Sequence, residues 1–245
     1  MSPRSARKPP QSCELHVRGS NRLLSMLESA GEARLLRRME WIELKRKDSL
    51  YRPDIPITHA YFPLTGVGSL VVDMQDGPSI EVGTMGNEGM VGMPLILGSD
   101  RSSTHAYVQI AGEFMRMPAA DFAAELARES TFADVTRRYA QGFFAQVAQS
   151  TACLRFHAVE QRLCRWILTC HDRVGQDRVE LTQEFLAVML GVQRPSVTLA
   201  ATALQKQGLI RYRRGVIDVV DRRRLEQTAC ECYGIVRKEF ERLLC

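Results

Sequence analysis

No stretch of the sequence approaches the ~18–20 uninterrupted apolar residues of a membrane-spanning helix, so no membrane partner is expected. Walker and Rossmann glycine loops are missing, as is the nucleophile elbow of serine hydrolases. The five histidines include no His-x-His pair, which leaves a cupin-type metalloenzyme built around His59 and His105 only as an alternative. Cysteine is present in the wrong pattern. Seven thiols, at 13, 153, 164, 170, 230, 232 and 245, are an odd number and point to reduced cysteines in a cytoplasm rather than a disulfide framework. Cys230-x-Cys232 has the wrong spacing for a zinc knuckle, and no second Cys or His pair stands near it in sequence. The spacing of an N-terminal iron–sulfur sensor is missing too, because Cys13 stands alone. No catalytic residue, metal or cofactor is therefore expected. Met1–Pro10 is basic and proline-rich with no apolar core after it, so residues 1–20 read as a disordered tail and not as a signal peptide.

What is there has the balance of a folded protein, with 45% hydrophobic and 25% charged residues. The length of 245 residues suits two domains of roughly 100–150 residues each. Net charge is a mild +5, but Arg194–Arg224 holds eight basic residues against two acids. Such a concentration is the footprint of a polyanion-binding surface, the alternative being a solvated face.

The chain divides by texture. Residues 21–38 follow a helical pattern (Leu23, Leu24, Leu27, Leu35, Leu36) broken around Gly31. Six short runs follow: Trp41–Leu44, Ala60–Phe62, Gly68–Val72, Ser79–Val82, Ala106–Ile110 and Glu113–Met117. Turn material separates them, as expected of a small antiparallel barrel or jelly roll. Asp73–Ser79 reads as a hairpin tip with Asp76-Gly77 at the turn. After Pro118 the chain is helical: first 119–128, then a proline-free helix over 131–156. Phe132, Val135, Tyr139, Phe143, Val147 and Leu154 recur along the long helix at three- and four-residue steps. That stripe reads as a dimer seam, the alternative being a core helix. Another helix is expected over 159–171, and one more over 230–245, packed on the C-terminal domain.

Residues 183–202 have the layout of a helix-turn-helix. Ala187 is the small residue at the helix contact, Gly191 takes the positive φ of the turn, and Val197 packs the second helix on the first. Thr182 caps the first helix and Pro195 sits in the first turn of the second. Arg211–Val220 reads as two short strands around Gly215, a basic wing.

A β-roll, a long helix and a C-terminal winged helix-turn-helix, in that order, resemble the cyclic-AMP receptor/FNR (Crp/Fnr) family of bacterial transcription regulators. The resemblance covers about residues 20–225. It is carried by Leu181–Ile210 and, in the roll, by Tyr61–Gly66, Glu88–Gly92 and Ala106–Val108. It implies an α+β fold: a cyclic-nucleotide-binding-type β-roll sensor (21–130), a dimerisation helix (131–156) and a winged helix-turn-helix (157–245). It also implies a homodimer on an inverted repeat of double-stranded DNA, with reading helices ~34 Å apart, and RNA polymerase as a further partner. In the family an arginine at the position of Arg194 reads guanine, which a guanidinium fork can do bidentately. Pro195 and Leu199 stand where a glutamate and a second arginine are usual. The expected DNA-facing set is Thr182, Gln183, Gln193, Arg194, Ser196, Val197, Thr198, Leu199, Arg211, Arg213 and Arg214. Gln183 and the three wing arginines would act as backbone clamps.

The effector pocket departs further from the family. Thr104 and His105 fall where an Arg-Ser/Thr pair neutralises the nucleotide phosphate. Met93 falls beside Gly92 where the ribose-binding glutamate should be, and Arg101 lies three residues early. With Glu88 these six form the expected pocket, degenerate for a cyclic nucleotide and open to another ligand or none. The other reading is a thiol-based redox sensor using Cys153, Cys164 or Cys170 near the hinge.

Overall fold

The computed structural model describes residues 20–75, 77–128 and 130–244. All but Ser20 of the expected tail lies outside them. The chain enters through α1 (Arg22–Ser29) and α2 (Ala33–Leu36), separated at Gly31 with φ +80°. Asn21 is buried and holds α1 at both ends of its amide. Its Oδ1 accepts from the Leu24 N–H, and its Nδ2 donates to the carbonyls of Pro63 and Gly89 at 2.9 and 2.7 Å. The five leucines of the expected stripe are all buried.

The roll comprises β1 (Glu40–Leu44), β2 (Ser49–Tyr51), β3 (His59–Pro63), β4 (Val67–Asp73), β5 (Ser79–Met85), the single turn α3 (Met93–Ile96), β6 (His105–Ile110) and β7 (Gly112–Pro118). Two antiparallel sheets, β1-β7-β3 and β2-β6-β4-β5, face each other across the core. Each of the six expected runs is a strand. β2 was not legible, since three residues with a bulge show no alternation; nor was α3, a single turn with Pro94 near its start. The β4–β5 hairpin closes with Asp73 opposite Ser79, as expected; Asp76 lies outside the described residues.

α4 (Ala119–Leu126) leads to α5 (Thr131–Phe156), whose 26 residues run unbroken from the Ser130 cap. Its bounds match the expected helix, but most of the apolar stripe expected as a dimer seam is packed inside this chain. Phe132, Val135, Tyr139 and Phe143 are buried within the protomer, and Val147 and Leu154 are half-buried. Phe132 packs edge-on to Phe122 at 5.1 Å, and Tyr139 stacks on Phe240 at 6.0 Å. The Tyr139 hydroxyl donates to the Met90 carbonyl at 2.9 Å. This close approach requires Gly89, because any Cβ there would overlap the Tyr139 ring. The stripe was real, but periodicity says that a face is buried and not by what.

The reading half follows: α6 (Val159–Val174), β8 (Arg178–Glu180), α7 (Gln183–Leu190), α8 (Arg194–Lys206), β9 (Ile210–Arg213), β10 (Val216–Val219), α9 (Arg222–Thr228) and α10 (Cys232–Leu243). α6 runs past the expected residue 171 and stops at Gly175, left-handed at φ +65°. The C-terminal helix forms as expected, but its far end packs elsewhere. Phe240, Leu243 and Leu244 join the sensor core, while Tyr233 lies against the reading half. Among the described residues no single helix is long and apolar enough to cross a membrane.

Candidate nucleic-acid interface and the pocket behind it

The interface is built from local rules. Thr182 Oγ1 accepts from the Phe185 N–H at 3.3 Å and starts α7; Gly191, at φ +58°, ends it. The half-buried Ala187 gives its carbonyl to the Val192 N–H at 3.0 Å inside the turn. α8 then leaves at 103° to α7, within the range of a helix-turn-helix. Val197 is fully buried with Leu186 and Leu204. It anchors α8 and has no surface to offer a duplex, so it leaves the DNA-facing set.

On the outer face Gln193, Arg194, Thr198 and Leu199 are exposed and Ser196 is half-buried. Arg194 Nε donates to Gln183 Oε1 at 3.3 Å, and the Thr198 hydroxyl donates to the same oxygen at 3.2 Å. Arg194 Nη1 also pairs with Glu184 at 2.9 Å. Gln183, expected as a phosphate clamp, thus also braces the arginine at the tip of α8. The Arg194–Glu184 pair is exposed on both sides and screened by solvent, so it does not hold the arginine back from a stronger partner.

β9 and β10 pair as the wing, turning through Arg214 and Gly215 at φ +50° and +78°, the signature of a type I′ turn. A third strand, β8, pairs with β10 and was not anticipated. It brings Arg178 beside Arg213 and Arg214 to line one open groove. Arg211 is exposed on β9. Arg222, counted in the basic run, turns inward to Asp172 at 2.5 Å and the Tyr233 hydroxyl at 2.9 Å.

Two family models match the chain. The cyclic nucleotide-binding domain covers residues 41–129, and the Crp-like helix-turn-helix domain covers 161–228. The chain belongs to the Crp/Fnr family of transcription regulators. Similar solved structures include FixK2 from Bradyrhizobium japonicum (TM-score 0.67, 15% identity, 78% of this chain and 98% of that one). A CRP-family regulator from Thermus thermophilus gives TM-score 0.64 at 18% identity, over 77% of this chain and 96% of that one. The c-di-GMP-responsive global regulator CLP from Xanthomonas campestris gives 0.56 at 19%, over 80% and 98%. No curated protein matches the sequence.

In this Crp/Fnr regulator the six expected effector residues do not converge. Gly92 caps α3 at φ +125° and Met93 opens that turn. Arg101 is exposed and donates to the Asp54 carbonyl. Thr104 bonds Ser102, and His105 lies 3.2 Å from the Ser49 hydroxyl. Glu88 alone of the six lines a cavity of about 270 Å³ between the roll, α5, α6 and α10. There it receives the buried guanidinium of Arg173 through two hydrogen bonds, 2.9 Å from Nε and 2.6 Å from Nη2. Arg173 Nη2 also donates to the Thr84 carbonyl at 3.0 Å and Gln146 Oε1 at 3.2 Å, and Nη1 to the Thr84 hydroxyl. One side chain of α6 thereby grips β5, the β5–α3 loop and α5.

Next to it, Glu81 of β5 is buried where the roll meets α6 and α7. Its carboxyl accepts from Ser69 at 2.6 Å, Gln109 at 2.9 Å and the Trp166 indole at 3.1 Å. Burial raises its pKa to about 7, against the hydrogen bonds from Ser69 and Trp166 and the charges of Arg165 and Arg173, which lower it. Gln109 Oε1 is buried without a partner. Turning that amide over would present the oxygen to a protonated Glu81.

The thiols also sort by environment. Burial pushes Cys164 up to about 12 and raises Cys170 as well, which disfavours the reactive thiolate in both. Cys153 is lowered, chiefly by its hydrogen bond with Cys230. Cys230 and Cys232, dismissed on spacing in the sequence, stand beside Cys153 and His157. The partners that seemed missing come from the end of α5, and nothing in the sequence marks that contact.

Glu81 predicts a pH dependence with a definite sign. The docked arrangement holds its proton up to about 7, whereas the exposed carboxyl releases it near 4.5. Its contribution is therefore complete at low pH and is lost as pH rises through 7. Between pH 5 and 8 the denaturation free energy should fall by about 2–3 kcal/mol on this account. Trp166 fluorescence follows the transition. Glu81→Gln should flatten the fall; equal slopes in the two proteins would remove Glu81 from the interface energetics.

Proposed function

We propose that this regulator works as a homodimer in the cytoplasm, reading an inverted repeat in double-stranded DNA with α8 in the major groove. The observation that carries this reading is Arg194, exposed at the first residue of α8 and braced by Gln183, with a basic wing beside it. A braced guanidinium fork suits guanine O6 and N7. Leu199, 73% exposed on the same helix, suits an apolar contact such as a thymine methyl. Arg178, Arg211, Arg213 and Arg214 are placed as phosphate clamps, which set register and affinity without reading sequence.

The dimer contact would lie on the outward face of α5, where Gln141, Phe144, Ala148, Thr151 and Arg155 are exposed. Phe144 is 69% exposed and small residues flank it, which lets two helices approach. The sensor is read as taking no cyclic nucleotide in the family's manner, because Arg101 is bound to the Asp54 carbonyl in the β2–β3 loop and Glu88 to Arg173. An effector would act by shifting the population of reading-head angles, with RNA polymerase as the downstream partner.

Selection from a random duplex pool, with reduced protein at fixed salt, tests this reading. An enriched inverted repeat supports it; no enrichment with or without cyclic nucleotides, c-di-GMP or oxidant sinks it. Arg194→Ala should cost about 1–3 kcal/mol at the selected site and relax one position per half-site. An equal loss on every sequence would make Arg194 a phosphate contact. Replacing Arg213 and Arg214 with alanine should weaken binding to all sequences and reduce the salt slope by about one to two. An unchanged slope would take the wing out of the interface. Phe144→Glu should halve the sedimenting mass, and an unaltered mass would move the dimer contact off α5.

A further inference from the structure

The last turn of α5 and the junction of α9 with α10 bring four soft ligands to one point. Cys153 and His157 lie one helical turn apart on one face, and Cys230-x-Cys232 meets them from the other side. One ligand atom from each residue lies within 4.8 Å of every other. Cys153 Sγ is 3.5 Å from Cys230 Sγ, and Cys232 Sγ is 3.5 Å from His157 Nδ1. Around a tetrahedral zinc ion, with bonds of about 2.3 Å to sulfur and about 2.0 Å to nitrogen, neighbouring sulfurs stand about 3.8 Å apart and sulfur and nitrogen about 3.5 Å apart. The measured separations are close to those edges.

We propose that Cys153, His157, Cys230 and Cys232 form a closed Cys3His site for zinc, clasping the end of α5 to the α9–α10 junction.

The surroundings match what such a site needs. All three thiols are buried, and four protein ligands leave no open position, the mark of a structural rather than a catalytic zinc. His157 presents Nδ1 to the thiols, while its Nε2 lies 3.0 Å from the Glu231 carboxylate. A carboxylate behind the second ring nitrogen is the usual way a metal-bound histidine is oriented. Gln149 Nε2 donates to Cys232 Sγ at 3.1 Å. Three thiolates and one zinc ion carry a net single negative charge, and Arg165 is the cation that acts on Cys153 and Cys230. On binding, each ligating thiol loses its proton to solvent.

Two rival chemistries fit less of the geometry. An iron–sulfur cluster spreads its ligands around several irons, whereas these atoms crowd around a single point. A Cys153–Cys230 disulfide would leave Cys232, His157 and the Glu231 brace unexplained. The clasp also has a place in the mechanism: α6 begins two residues after His157, and Cys232 lines the cavity that holds the Arg173–Glu88 pair. A metal here would set the direction in which the reading half leaves α5.

The test uses the full chain, reduced and freed of metal, titrated with zinc and with cobalt(II) as the spectroscopic probe. One ion per chain is expected, with the ligand-field bands of tetrahedral thiolate cobalt, displaced by zinc and lost in Cys230→Ser. Glu231→Gln alters a side chain that is 67% exposed, so folding is not at issue. It should weaken metal binding about 10–100-fold. The proposal is overturned if wild-type protein takes up no stoichiometric metal, or if Cys153 and Cys230 are isolated as a disulfide that reduction does not convert into a metal-binding form. It is equally overturned if a folded Cys230→Ser binds cobalt unchanged. None of these readouts involves DNA, so the outcome stands apart from that of the operator selection.

Discussion

The buried guanidinium of Arg173 is the constraint around which the sensor and reading halves are arranged. Removing a cation from water costs several kcal/mol unless charge and hydrogen bonds replace its hydration. Here Glu88, Thr84 and Gln146 supply that replacement from the roll and from α5, while Arg173 itself belongs to α6. Gly86 makes room, since a Cβ there would overlap the arginine stem. α6 can leave the roll only if Arg173 and Glu88 are rehydrated together, or if a ligand supplies what one of them loses. A charged ligand entering the cavity beside this pair has a direct way to bias the position of the reading half.

Glu81 adds a second contact of a different kind. Arg173 is stabilised by being charged and paired; at Glu81 burial outweighs the hydrogen bonds and nearby charges that favour the carboxylate, which raises its pKa to about 7. Gly191 of the helix-turn-helix turn lies against Ile80, the residue before Glu81. The buried carboxyl and the turn that sets α8 are thus separated by one packing contact.

Local rules carried most of the reading from sequence. The Thr182 cap, the Gly191 turn and Pro195 act within one or two helical turns, so their residue types report their geometry directly. The strands of the roll showed because alternation and turn residues are also local. β2 and β8 were lost because three residues are too few for a pattern, and with β8 went Arg178. The α5 stripe was found but given the wrong partner, since a buried helix face looks the same against its own sheet as against another chain. The effector residues were placed by family register, and the loop before β6 does not bring Arg101 to the site that register implied.

The sequence by itself determined the order of the elements, the helix-turn-helix and the arginine at its tip, because each depends on neighbours a few residues away. Only the tertiary structure decided what the buried groups do. Arg173 meets Glu88 across 85 residues and Cys153 meets Cys230 across 77. An ion pair or a ligand cage is defined by distances of a few ångströms, and separation along the chain carries no information about those distances until the chain has folded.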